Sequence, residues 1–179
     1  MDFNDFILGL RQTARDLEND SNQITLSLGN QALADIQNRV QERGERPTGG
    51  SYGGYSEKKV PAYLLVNSSI NAQGRNFAKK KAKNREGVSY KELRAAEGLP
   101  TNKKNFTRTG RMFANMAVEI ISTGNKLIAR IQGRNQATKD KLEYNTERDG
   151  AILQLSPSEV SDLAITLDQE VQLRIDRNL

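Results

Sequence analysis

Between Gly44 and Arg108 lie 65 residues with almost no apolar periodicity. Structureless segments longer than roughly a dozen residues are uncommon inside compact domains, and are usually functional or disordered. A chain of 179 residues has room for one domain, so this stretch must hang on whatever folds at either side of it. It also holds the positive charge. From Ala72 to Arg111 there are twelve Lys/Arg against three acids (Glu86, Glu92, Glu97), whereas the rest of the chain has fifteen basic and nineteen acidic side chains. The sequence describes a slightly acidic folded body carrying a long basic arm.

The chemistry open to such a chain is narrow. It has no Cys and no His, which removes disulfides, thiol nucleophiles, the usual zinc ligands and the commonest general acid–base near neutral pH. The carboxylate groups Asp16/Glu18/Asp20, Glu143/Glu147/Asp149 and Asp162/Asp168 all fall in polar helical contexts, where a solvated face is the expected role. The glycines at 49, 50, 53 and 54 are not followed by Gly-Lys-Ser/Thr and follow no strand, so they do not form a phosphate-cradling loop. No enzyme, cofactor or metal site is expected. Residues Met1–Asp5 are acidic and the first apolar run stops at Leu10, which argues against a signal peptide. No run approaches the ~18 apolar residues of a membrane span.

Hydrophobic residues make up 36% of the chain, enough for a small core, and their spacing locates it. Phe3, Phe6, Ile7 and Leu10 recur at helical intervals behind a cap at Asp2, and Ala14 and Leu17 extend the face. After a polar gap at Asn19–Asn22, Leu28, Ala32, Leu33, Ile36 and Val40 form a second helical pattern, with Gly44 placed to stop it. One bent helix or two consecutive ones both fit. Ala117–Ile121 and Leu127–Ile131 flank Ser122-Thr123-Gly124-Asn125 as a β-hairpin. Gln136–Thr146 suits a short helix with Ala137 and Leu142 inward, and Ala151–Leu153 a third strand. Ser156-Pro157-Ser158-Glu159 opens the best helix in the chain, with Val160, Leu163, Ala164, Leu167, Val171 and Ile175 as one apolar stripe. That stripe is expected to pack on the hairpin. The result is a single α+β domain: N-terminal helices over 1–43, the arm over 44–108, then hairpin, strand and C-terminal helix over 109–179. A small antiparallel sheet is packed by the N- and C-terminal helices, with a long extended basic loop between.

Within the arm, Ser89 and Glu92 form a capping box ahead of a short helix, Tyr90–Glu97, stopped by Gly98 and Pro100. The candidate contact residues are Arg75, Lys79, Lys80, Lys81, Lys83 and Arg85. Such a cluster meets phosphate, an acidic protein surface, or only water. With Phe77 the one aromatic inside it, base stacking is poorly supported. Tyr52 and Tyr55, in the glycine-rich run, are candidate subunit-interface anchors. Glycines and low apolar content predict that Gly49–Arg85 orders only in an assembly.

Several short segments share a pattern. Gln41-Glu42-Arg43-Gly44 ends a helix, a glycine-rich turn leads to Tyr55-Ser56, and Tyr90-Lys91-Glu92-Leu93-Arg94 runs to Gly98-Leu99-Pro100. Then Phe106-Thr107-Arg108-Thr109-Gly110-Arg111-Met112-Phe113 precedes the hairpin, and Tyr144-Asn145-Thr146-Glu147-Arg148-Asp149-Gly150 follows it. From Arg39 onward this order resembles the tailed-bacteriophage neck proteins, the head–tail connector, tail-completion and ring protein family. Asp149 stands where that family often has an aromatic. The resemblance implies a structural virion protein with no enzymatic activity, assembled in the bacterial cytoplasm. It would form a closed ring of six or twelve copies between portal and tail proteins, around the channel that carries DNA. The principal alternative is a nucleic-acid-binding accessory protein that uses the arm as a basic tail.

Overall fold

A computed structural model of the chain describes residues 3–66, 71–124 and 126–179. Helix α1 (Phe3–Gln37) is one continuous helix. The polar gap at Asn19–Asn22 does not break it, because Asp20 in that gap accepts from Arg174 of the C-terminal helix at 2.9 Å. Asp2, the expected cap, lies outside the described residues. The end of α1 widens into a π-helical turn, Asn38–Arg43, and stops at Gly44 in the left-handed conformation (φ 68°). Widening the turn buries two consecutive residues, Arg39 and Val40.

The body is built around α1. Strands β3 (Met116–Thr123) and β4 (Lys126–Gly133) form the expected antiparallel hairpin, with Val118 opposite Ile131 and Ile120 opposite Ala129. Asn125 of its turn lies outside the described residues. The hairpin lies against α1 at Gly29, where an added Cβ would meet Val118 Cγ1 at 2.5 Å and Ala129 Cβ at 2.8 Å. Helix α6 (Pro157–Asn178) opens with the expected Ser156/Glu159 capping box and Pro at its start. It packs along α1, not on the hairpin. Buried Glu159 pairs with Arg39 at 2.8 Å and Arg174 with Asp20, which turns the face bearing Glu159, Leu163 and Arg174 toward α1. The flank of the apolar stripe is rotated outward, leaving Val160 53% and Leu167 41% exposed.

Helix α5 (Gln136–Asp149) begins where expected, but its inward residues are Thr138 and Leu142, with Ala137 exposed. Asn135 sets that phase by accepting from the Thr138 backbone at 2.9 Å. Ala151–Leu153 is not a third strand. Ile152 is fully buried, and the carbonyls of Ile152 and Gln154 accept from the Arg39 guanidinium, so this stretch is held by a buried side chain and not by a ladder. The main core gathers Ile36, Val40, Tyr52, Met112, Phe113, Met116, Leu142 and Ile152, with short helix α4 (Arg111–Ala114) supplying Met112 and Phe113.

The arm is folded. Strand β1 (Lys59–Pro61) pairs antiparallel with β2 (Gly87–Ser89), and a 3₁₀ turn, α2 (Ala72–Lys83) and α3 (Tyr90–Ala96) surround them. A second core of Ala62, Ala78, Val88 and Leu93 sits inside. Segment 49–85 therefore has its own packing within the single chain, apart from residues 67–70, which lie outside the described residues. The whole is α+β, with two small antiparallel sheets and long helices at both ends. Among the described residues no helix is long and apolar enough to cross a membrane.

Candidate functional site

Two groups of residues stand out, the basic cluster and a cleft where the arm meets the body. The cluster is carried by α2, whose start is capped by Asn71 accepting from Gly74 N–H at 2.8 Å. Gly74, Phe77, Ala78 and Ala82 turn toward the arm's core. Arg75, Lys79 and Lys83 recur every four residues and share the opposite face, with Lys80 beside them and Arg85 following in a left-handed conformation (φ 56°). All five are exposed, and among the described residues none is within ion-pair distance of an acid. Lys81 is different. It pairs with Glu86 and lies over the Phe77 ring. The Glu86 hydrogen bond raises the Lys81 pKa and the same contact lowers that of Glu86. Five of the six expected contact residues thus form one free cationic surface, and the sixth is engaged locally.

Tyr52 and Tyr55 do not lie at an exposed interface. They are 5% and 8% exposed, because the glycines on either side let the chain turn both rings inward. Tyr52 meets Phe106 edge-on at 4.8 Å. The Tyr55 hydroxyl donates to Asn105 Oδ1 at 2.9 Å and accepts from Asn105 N–H at 3.2 Å. Burial raises both hydroxyls above their ordinary pKa.

The Tyr55–Asn105 contact opens onto a cleft of about 240 Å³ lined by Tyr90, Arg94, Lys104, Phe106, Arg108, Tyr144 and Arg148 among others. Every segment from Tyr55 onward that carries the resemblance contributes to this wall. Arg94 is 1% exposed. Its guanidinium lies 4.0 Å from the Tyr55 ring centre and donates to the carbonyls of Pro100 and Thr107 and to Asn105 Oδ1. The loop 100–107 is wrapped around it, and Phe106 within that loop takes a left-handed conformation (φ 52°). Arg108 grips buried Glu97 through two hydrogen bonds of 3.0 Å. Lys104 and Arg148 both pair with Asp149, which explains a carboxylate at that position. The cleft offers guanidinium groups and ring faces, and the carboxylates of Glu97 and Asp149 behind it are paired with its cations. Periodicity could not reveal these roles, since Arg94, Asn105 and Phe106 meet only through a loop. The remaining acids are dispersed: Asp16 accepts from Asn178 and Gln12, which lower its pKa. Among the described residues no group of acids could hold a metal ion.

Comparisons with protein-family models, with curated proteins and with solved structures find no match.

Proposed function

We propose that this chain is a structural subunit of a tailed-phage neck, closing into a ring between portal and tail around the DNA channel and catalysing no reaction. The observation that carries this reading is surface. A compact monomer of 20.0 kDa exposes about 8,700 Å², and this chain exposes 11483 Å². Part of that surface is aliphatic: Leu8, Leu26, Val160, Ile165, Leu167 and Leu173 on the helix pair are all more than two-fifths exposed. Large aliphatic side chains left open along two packed helices offer apolar surface that a partner can cover.

Charge supports coverage by further copies of the same chain. Helices α1 and α6 hold ten carboxylates against four basic side chains, while α2 presents five free cations with Arg85. Two unlike, complementary faces on one subunit are what a head-to-tail contact requires, and such contacts close into a ring when the rotation between copies divides a full turn. Native mass spectrometry and electron microscopy of the purified chain test this: a discrete six- or twelve-membered assembly is expected. The free cations also favour a second reading, a nucleic-acid-binding accessory. A monomer or dimer whose DNA affinity falls steeply with salt would establish that one instead.

A further inference from the structure

The hairpin carries much apolar surface that the rest of the body leaves partly open. Six large aliphatic residues lie on it, Val118, Ile120, Ile121, Leu127, Ile128 and Ile131, and none is buried. They occupy both faces. Val118, Ile120, Leu127 and Ile131 share the face toward α1, whereas Ile121 and Ile128 pair on the outer one, where Ile128 is 47% exposed. Both edges are open too: among the described residues, no hydrogen bond outside the hairpin ladder reaches the backbone of 117–131. Two strands alone are marginal in water and need further strands or a helix against them; here α1 lies against the face bearing Val118 and Ala129, and the face bearing Ile121 and Ile128 is the outer one. Eight-residue strands with free edges are templates for a further strand.

We propose that the missing strands come from a second copy of this chain, β4 of one subunit adding to β3 of the next. Charge selects that pairing. The charged residues of β4 are Lys126 and Arg130, and that of β3 is Glu119. Joining β4 to β4 would set cations against cations, and joining β3 to β3 would oppose the two Glu119 carboxylates. Joining β4 to β3 places Arg130 opposite Glu119, and the same antiparallel register then places Ile128 opposite Ile121 on the same face. Cross-strand pairs of opposite charge and of aliphatic side chains are both favourable. In an antiparallel ladder every second residue turns its N–H and C=O outward, so repeating the hairpin's own register between copies brings outward groups together. A cyclic rotation keeps all hairpins in one orientation, which makes the β4-to-β3 contact antiparallel as the sheet continues. This deepens the ring reading and rests on its self-association.

The absence of cysteine makes the test clean. Ile121→Cys and Ile128→Cys are introduced in separate chains, purified and mixed under mild oxidation, with Tyr63→Cys on the exposed arm as a collision control. The mixture is expected to give disulfide-linked dimers at least tenfold above either variant alone or the control. Dimers of Ile128→Cys alone would indicate a two-fold β4–β4 contact and overturn the proposal. Wild-type rings seen by native mass spectrometry, with no linkage in the mixture, would overturn it while leaving the ring in place. A wild-type chain that stays monomeric at all concentrations would overturn both.

Discussion

Arg39 is the residue on which distant parts of the fold converge. Its guanidinium meets Glu159 at the start of α6, the carbonyls of Ile152 and Gln154, and the carbonyl of Glu45, so one side chain ties the end of α1 to α6 and to the loop between α5 and α6. Both members of the ion pair are almost fully buried, at 3% and 4% side-chain exposure. Truncation strands a buried carboxylate, and Arg39→Ala is expected to cost about 3–5 kcal/mol, measured by urea unfolding; a loss below 1 kcal/mol would refute the clasp. In the sequence Arg39 is only a polar position beside Val40, because its partners Ile152, Gln154 and Glu159 lie more than a hundred residues away. Asp35, one turn earlier, is under opposite stress. Burial first, then Glu159 and Asp162, raise its pKa above the ordinary 3.8. The folded chain therefore holds that proton to higher pH than the unfolded chain, so stability is lost as pH rises from 3.8 through the raised value and stays lost at neutrality. Asp35→Asn should raise the melting temperature at pH 7, with the gain vanishing below the ordinary carboxylate range.

Elements with local signals were legible. The capping boxes at Ser89/Glu92 and Ser156/Glu159 sit where the residue types placed them, because a cap is decided by four consecutive residues. Helix α2 was not legible as a helix, although Asn71 is a proper cap, since its inner face is built of Gly74, Ala78 and Ala82, and small residues leave no apolar periodicity. The partner of α6 was misjudged for a different reason. An apolar stripe records which residues avoid water, whereas the ion pairs of Glu159 and Arg174 decide which way the helix is turned. The cost of substitution should follow the turn. Leu167→Asp is expected to lower the stability of the isolated chain by about 1 kcal/mol or less. Gly29→Ala forces a methyl against Val118 and Ala129 and should cost about 1–3 kcal/mol. Thermal unfolding of the two variants side by side checks the order, and the reverse order would place α6 on the hairpin after all.

At the scale of the whole molecule, the charge imbalance was plain in the sequence and the division of labour was not. The basic arm has structure of its own, and its candidate site is a helix face. The variant that tests it replaces Arg75, Lys79, Lys80 and Lys83 with Gln and leaves Lys81 to hold Glu86. Its melting temperature should match the wild type, since exposed substitutions stay within about 0.5 kcal/mol. If the face meets DNA, the dependence of log affinity on log salt should flatten by about 0.9 for each phosphate the variant no longer neutralises. If it meets the acidic helix pair of a neighbour, assembly should fail while DNA affinity is unchanged. The cleft was half legible: its segments resembled one family, but their meeting around Arg94 needed the folded loop. Finally, two separate cores have a consequence for breathing. The four residues of the arm's own core, two of them alanine, enclose far less apolar area than the eight of the main core. Local opening costs least where the least is buried. Native-state hydrogen exchange should therefore find α2 and β2 opening together, as one unit, at a lower free energy than the Ile36–Val40 end of α1. The arm would then unfold as one cooperative piece, helix and strand together, while the body keeps its shape.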